Sequence, residues 1–102
     1  MLANNSIFRS SQQGTFTKTQ NISQYGIKTF EYEVPITPIV DMSKIVWNYS
    51  NFNVSSDDGD IKAKSVKITQ TSLIISAEIS IMYGNTPAVM NLSCDWKVQE
   101  YY

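Results

Sequence analysis

The sequence of 102 residues predicts an all-β fold, an antiparallel β-sandwich of about six strands in a single domain. Apolar and polar side chains alternate with a period of two along most of the chain, which is the spacing of a strand with one buried face. Apolar residues do not recur at helical spacing. Turn-forming residues separate the alternating segments, so short antiparallel connections are expected.

The first two predicted strands follow a short N-terminal arm. Residues 1–6 are expected to be flexible or docked on a neighbouring molecule. The segment SIFRSSQQGTFTKT then opens the first strand. In KTFEYEVPI, Glu31 and Glu33 lie on the outer face. The inward face of this second strand is shared by Phe30, Tyr32, Val34 and Ile36. Pro35 and Pro38 limit the hydrogen bonds that its end can donate.

The third predicted strand, in KIVWNYSNFNVSSDDGD, changes its inward phase part-way along. The first phase contains Ile45, Trp47 and Tyr49. Phe52 and Val54 lie on the opposite phase. A β-bulge near Ser50–Asn51 allows both groups to point inward. We therefore predict that these aromatic side chains are core residues.

The last three predicted strands alternate most regularly. In AKSVKITQ, Val66 and Ile68 share the inward face. In TSLIISAEISIMYG the inward positions are Leu73, Ile75, Ala77, Ile79 and Ile81. In AVMNLSCDWKVQEYY they are Ala88, Met90, Leu92, Cys94, Trp96 and Val98. TQTS and YGNTP are expected to form the turns between these strands, because Gly84 and Asn85 accept positive φ.

The alternation also defines the predicted core. Its expected members are Phe30, Tyr32, Val34, Ile45, Trp47, Val66, Ile68, Leu73, Ile75, Ile79, Met90, Leu92 and Trp96. Cys94 shares the inward face of the last strand, so we interpret it as a small core side chain rather than a nucleophile. Because it is the single cysteine, no intrachain disulfide can form.

The segment SSDDGD follows the third strand and has two interpretations. Asp and Gly favour turns, so the first is the turn that ends the strand. The second is a weak cation site formed by Asp57, Asp58 and Asp60 around Gly59. The ligand spacing of an EF-hand is missing, and no helix is predicted beside it. The turn is the favoured interpretation.

Composition argues against catalysis and against several kinds of partner. The chain has no histidine, which removes the commonest general base and metal ligand. No Ser–His or Cys–His pair and no glycine-rich phosphate loop is present. The net charge of −1 provides no attraction to nucleic acid. No apolar run approaches the roughly 18 residues of a membrane span. We expect neither an enzyme nor a bound cofactor.

Exposed aromatic residues are the remaining candidates for contacts with a partner. Tyr25, Tyr83, Tyr101 and Tyr102 fall at predicted strand ends or loops. Tyrosine at such positions can stack on a sugar ring or anchor a protein interface. Asn53 joins them as a polar candidate beside the acidic turn. The alternative is that these side chains only cover the ends of the sandwich.

The order of four segments resembles that of short bacteriophage virion proteins. SIFRSSQQGTFTKT is similar to their opening strand, through Gln12, Gly14 and Thr15. ITPIVDMSKIVWNYS is similar to their Val-Asp-x-Ser-Lys turn and the strand it begins, through Val40, Asp41, Ser43 and Lys44. KITQTSLIIS is similar to their middle hairpin, and CDWKVQEYY to their last strand, through Trp96, Val98, Glu100 and Tyr101.

The resemblance implies a homo-oligomeric structural subunit of a virion, in a tail fibre, tail tip or capsid decoration. Its partners would be copies of itself and other virion proteins, with a cyclic trimer as the expected form. The strand order is also similar to that of H-type lectins, oligomeric six-stranded sandwiches that bind sugars. That similarity implies an alternative function, binding of a host surface glycan, with Asn53, Asp57, Asp58 and Tyr83 together at one pole of the oligomer.

Overall fold

The computed structural model describes residues 8–82 and 87–102, and within them the chain forms six strands. Their bounds are β1 Phe8–Ile22, β2 Gly26–Pro35, β3 Ile45–Ser56, β4 Asp60–Ile68, β5 Ser72–Ile81 and β6 Ala88–Tyr101. A single turn of 3-10 helix, Met42–Lys44, precedes β3. The predicted all-β fold of about six strands is confirmed. The expected N-terminal arm, 1–6, lies outside the described residues.

The strands form two three-stranded antiparallel sheets that pack face to face. Sheet A has the order β1-β6-β3, and sheet B has the order β2-β5-β4. β6 and β5 are therefore the central strands, and the other four are edge strands. No helix in the described part of the chain has the length and apolarity that a membrane crossing requires.

The central strands supply most of the buried core. Inward side chains of β5 and β6 are almost fully buried: Leu73, Ile75, Ala77, Ile79, Ile81, Ala88, Met90, Leu92, Cys94 and Val98. The inward faces predicted for these two strands are thus confirmed, apart from Trp96. Other elements add Ile22, Ile36, Ile39 and Phe52. Burial of these apolar side chains is the main favourable contribution to folding.

The inward side chains of the edge strands are less buried than predicted. Eight expected core residues are only half-buried and pack against the core: Phe30, Tyr32, Val34, Ile45, Trp47, Val66, Ile68 and Trp96. An edge strand has a neighbour on one side only, so one side of each inward side chain stays open. Trp96 lies on a central strand, but its indole extends to Gly14 on edge strand β1, where a Cβ would lie 2.8 Å from the ring.

The predicted bulge in β3 is confirmed. The register between β3 and β6 shifts between Ser50 and Asn53, and Asn51 adopts a positive φ of 52°. The shift turns Phe52 into the core, where it is 8% exposed. The prediction that Tyr49 is also a core residue is wrong, because its side chain is 45% exposed at the edge of sheet A.

The molecule is a rod whose ends carry different elements. The Cα atoms span 58 × 20 × 17 Å. One end, the turn pole, carries the connections 23–25 and 57–59 and the start of β6. The opposite end, the terminal pole, carries the connections 36–44 and 69–71, the start of β1 and Tyr102. The hairpin turn predicted at TQTS is confirmed, and most of YGNTP lies outside the described residues.

Candidate interaction surfaces

The structure distributes the predicted contact residues over the whole length of the rod. Tyr25 lies at the turn pole and is 53% exposed. Tyr101 and Tyr102 lie at the terminal pole, and Asn53 is exposed on β3. Tyr83 lies outside the described residues. Because the molecule is 58 Å long, the described candidates do not form one site.

The two C-terminal tyrosines contact the start of β1. The Tyr101 ring lies 4.9 Å from the Phe8 ring, centroid to centroid. The Arg9 guanidinium lies 4.5 Å from the centre of the Tyr102 ring, within the range of a cation–π contact. These contacts close the terminal pole and leave Tyr102 65% exposed.

The acidic segment is a turn that is bonded to the neighbouring strand. Asp57 accepts a hydrogen bond from the Val89 backbone N–H at 2.8 Å, and its own N–H donates to the Val89 carbonyl at 3.2 Å. Gly59 has a φ of +103°, which favours glycine. Across residues 8–82 and 87–102, no group of three or more Cys, Asp or Glu side chains is arranged to hold a metal ion. Asp57 and Asp58 lie in the connection between β3 and β4, and Asp60 is the first residue of β4.

A polar depression, the outer groove, lies on the exposed face of sheet A. Its volume is about 430 Å³, and its lining includes Gln13, Thr15, Asn48, Ser50, Asp95 and Lys97. Strand register explains the grouping, since Gln13 and Asn48 both pair with Lys97, and Thr15 and Ser50 both pair with Asp95. The alternation along β6 predicts that Asp95 and Lys97 face outward, but it does not show which residues of β1 and β3 flank them.

Asp95 is the fixed acceptor of the outer groove. Its carboxylate accepts hydrogen bonds from Asn51 Nδ2 at 2.8 Å and from Thr15 Oγ1 at 2.7 Å. These bonds, that from Asn51 first, hold the pKa of Asp95 below its usual 3.8. Lys97, Asn48 and Gln13 make no side-chain hydrogen bond to the described part of the chain. The groove thus combines an anchored carboxylate with free donors and acceptors.

The long side of the rod formed by β1 and β2 is the first flank. Phe16, Phe30, Tyr32 and Val34 are half-buried there. The Phe16 and Tyr32 rings lie 5.6 Å apart, and the Tyr32 hydroxyl donates to Gln20 Oε1 at 2.9 Å. Burial raises the pKa of Tyr32. The first flank is therefore a strip of apolar side chains that are only partly exposed to solvent.

The opposite long side, formed by β3 and β4, is the second flank. Val54, Ile61 and Val66 are half-buried on it, and Tyr49 is exposed. The Tyr49 ring meets the Phe52 ring edge-on at 6.0 Å. Lys64 donates to the Phe52 carbonyl. Both flanks thus expose part of the apolar interior between the two sheets.

Two buried groups are structural rather than reactive. Glu100, only 1% exposed, accepts the backbone N–H groups of Val40 at 3.0 Å and Asp41 at 2.7 Å. Arg9 Nε lies 3.5 Å from the same carboxylate. Burial raises the pKa of the Cys94 thiol, which keeps it in its unreactive protonated form. Continuing the alternation of β6 by one inward position would have predicted the burial of Glu100.

A scan against models of protein families, a search of curated proteins and a search of solved structures each found no match.

Proposed function

We propose that this chain is a structural subunit of a homo-oligomer that works by side-to-side packing of its rods. The observation that carries the proposal is the half-buried apolar side chains on both flanks, including Phe30 and Tyr32 on one and Val54 and Val66 on the other. Contact with another copy would bury this surface and add the stability that a small domain lacks.

The resemblance to short phage virion proteins supports a place for this subunit in a virion. Fibres, tips and decorations are built from repeated copies, and a 58 Å rod with two apolar flanks suits lateral packing. The outer faces of the sheets are rich in Ser, Thr, Asn and Gln, which suits contact with water or with other proteins of the particle.

Native mass spectrometry of the purified chain tests the proposal. We expect a mass of at least twice the 11.5 kDa of one chain at micromolar concentration. Tyr49→Lys should weaken association at least tenfold, about 1.4 kcal/mol, because it places a charge on the second flank. Tyr25→Lys is the matched control, since Tyr25 is similarly exposed but lies at the turn pole. A wild-type chain that stays monomeric at about 100 μM would contradict the proposal.

Carbohydrate binding is a second candidate, and the outer groove is the observation that favours it. Sugars are recognised by fixed polar groups, and the groove offers the anchored Asp95 beside Lys97 and Asn48, whose side chains bond to no other described residue. A glycan array measures this function directly. We expect the double variant Asn48→Ala/Lys97→Ala to lose any binding, and Thr29→Ala on the other sheet to keep it. An array without a selective signal would reject the candidate.

A further inference from the structure

We infer that neighbouring copies pack side by side, the first flank of one copy against the second flank of the next, around one axis parallel to the strands. Glu33 of one copy then faces Lys67 of the next. The inference rests on the proposed function and names the surfaces that make the contact. Three properties of the described strands carry it: the charges of β2 and β4, the direction in which they run, and their register.

The edge strands of sheet B carry opposite charges. The outward side chains of β2 include Glu31 and Glu33 and no cation, and the one lysine of the strand, Lys28, is in the inward phase and donates to Gln24. The exposed positions of β4 carry Lys62 and Lys67, with Asp60 as the acid at its first residue, and a third lysine, Lys64, that donates to the Phe52 carbonyl of its own copy. Opposite charges on adjoining strands attract, and like charges repel. A β2 edge therefore fits the β4 edge of another copy.

The two edges also run in the same direction at matching heights along the rod. β2 and β4 are both antiparallel to β5, so they are parallel to each other. Glu33 and Lys67 both pair with Ile74, which places them at the same height. Rotation about an axis parallel to the strands preserves height. It therefore brings Lys67 of one copy beside Glu33 of the next.

Sheet A gives an independent indication of the same packing. Gly14 on β1 and Tyr49 on β3 both pair with Trp96, so they too lie at one height. The same rotation brings the exposed Tyr49 ring beside Gly14 of the adjoining β1 strand, where the Trp96 indole lies in the place of a side chain. The aromatic ring that the single copy leaves 45% exposed would be covered there.

The alternative arrangement, a two-fold axis, fits these charges poorly. With the axis perpendicular to the strands, it would bring β2 against β2 or β4 against β4. The first places Glu31 and Glu33 beside the same two acids, and the second sets Lys62 and Lys67 against the same two lysines. Repulsion between like charges disfavours both contacts.

Disulfide trapping with a double variant, Glu33→Cys/Lys67→Cys, tests the inference. Within one copy the two positions flank β5, about 9.6 Å apart, so they exceed the roughly 7 Å limit for a disulfide. The buried Cys94 should not compete. Mild oxidation should give a ladder of covalent species on a non-reducing gel, ending at the size of the ring. Mixing the two single variants should give dimers and nothing larger.

The controls separate this contact from other packings. Thr29→Cys/Lys67→Cys shifts one position by four residues, about 13 Å, and should not cross-link. Equal cross-linking of this control would overturn the register. Self-linking of Glu33→Cys or of Lys67→Cys alone would reveal a two-fold contact and overturn the inference. An oligomer without the ladder would reject this contact and leave the proposed function standing, whereas a monomeric wild type would reject both.

Discussion

At the scale of single residues, Glu100 shows how one side chain fixes a long connection. The segment 36–44 crosses from sheet B to sheet A without strand pairing, so its backbone groups need other partners. The Glu100 carboxylate accepts two of its N–H groups from inside the sandwich. Such charge-assisted hydrogen bonds are stronger than neutral ones. Glu100 therefore holds the connection 36–44 against the sandwich.

We expect Glu100→Gln to lower the free energy of unfolding by about 2–3 kcal/mol, because an amide leaves one buried N–H without an acceptor. Arg9→Gln should cost less than about 1 kcal/mol, since the Arg9 side chain is 36% exposed and both backbone bonds remain. Urea unfolding at a fixed protein concentration measures both changes. Equal losses would show that the ion pair, rather than the backbone bonds, gives Glu100 its role.

At the scale of elements, the bulge in β3 decides which aromatic side chains enter the core. The register shift after Ser50 moves Phe52 inward, and Asn51 takes the positive φ that the extra residue needs. Asparagine tolerates this conformation better than most residues. Its side chain also donates to Asp95, which joins the bulge to the central strand.

Two substitutions at Asn51 separate these contributions. Asn51→Gly and Asn51→Ala both remove the hydrogen bond to Asp95, but only alanine brings a Cβ into the left-handed conformation at φ 52°. We expect the alanine variant to be less stable than the glycine variant by about 1 kcal/mol. Thermal unfolding compares them. An alanine variant as stable as the glycine variant would show that the bulge does not require positive φ.

The sequence predicts the strands because the alternation of apolar and polar side chains shows which face of each strand is buried. It predicts the bulge for the same reason, since Phe52 could enter the core only by a change of phase. It does not show that Gly14 is required where the Trp96 indole approaches β1, because that contact joins residues far apart in sequence. It also assigns Tyr49 to the core, because the alternation does not show how much of β3 the other sheet covers.

At the scale of the whole molecule, the order of the strands decides how deeply each one is buried, which the alternation of apolar and polar residues does not show. Alternation is the same on a central strand and on an edge strand, yet Ile75 on β5 is fully buried and Val66 on β4 is only half-buried. The candidate contact residues were predicted from loops, and only the topology shows that Tyr25 and Tyr102 lie at opposite poles. The outer groove likewise depends on the pairing of β1 and β3 with β6.

The rod shape has a consequence for hydrodynamics. The radius of gyration of the Cα atoms is 17.0 Å, whereas a compact domain of this length has about 13 Å. One copy therefore tumbles and diffuses like a larger sphere, and it elutes from a gel-filtration column ahead of compact standards of equal mass. Elution volume alone would exaggerate the number of subunits. Sedimentation equilibrium, which is independent of shape, counts them correctly.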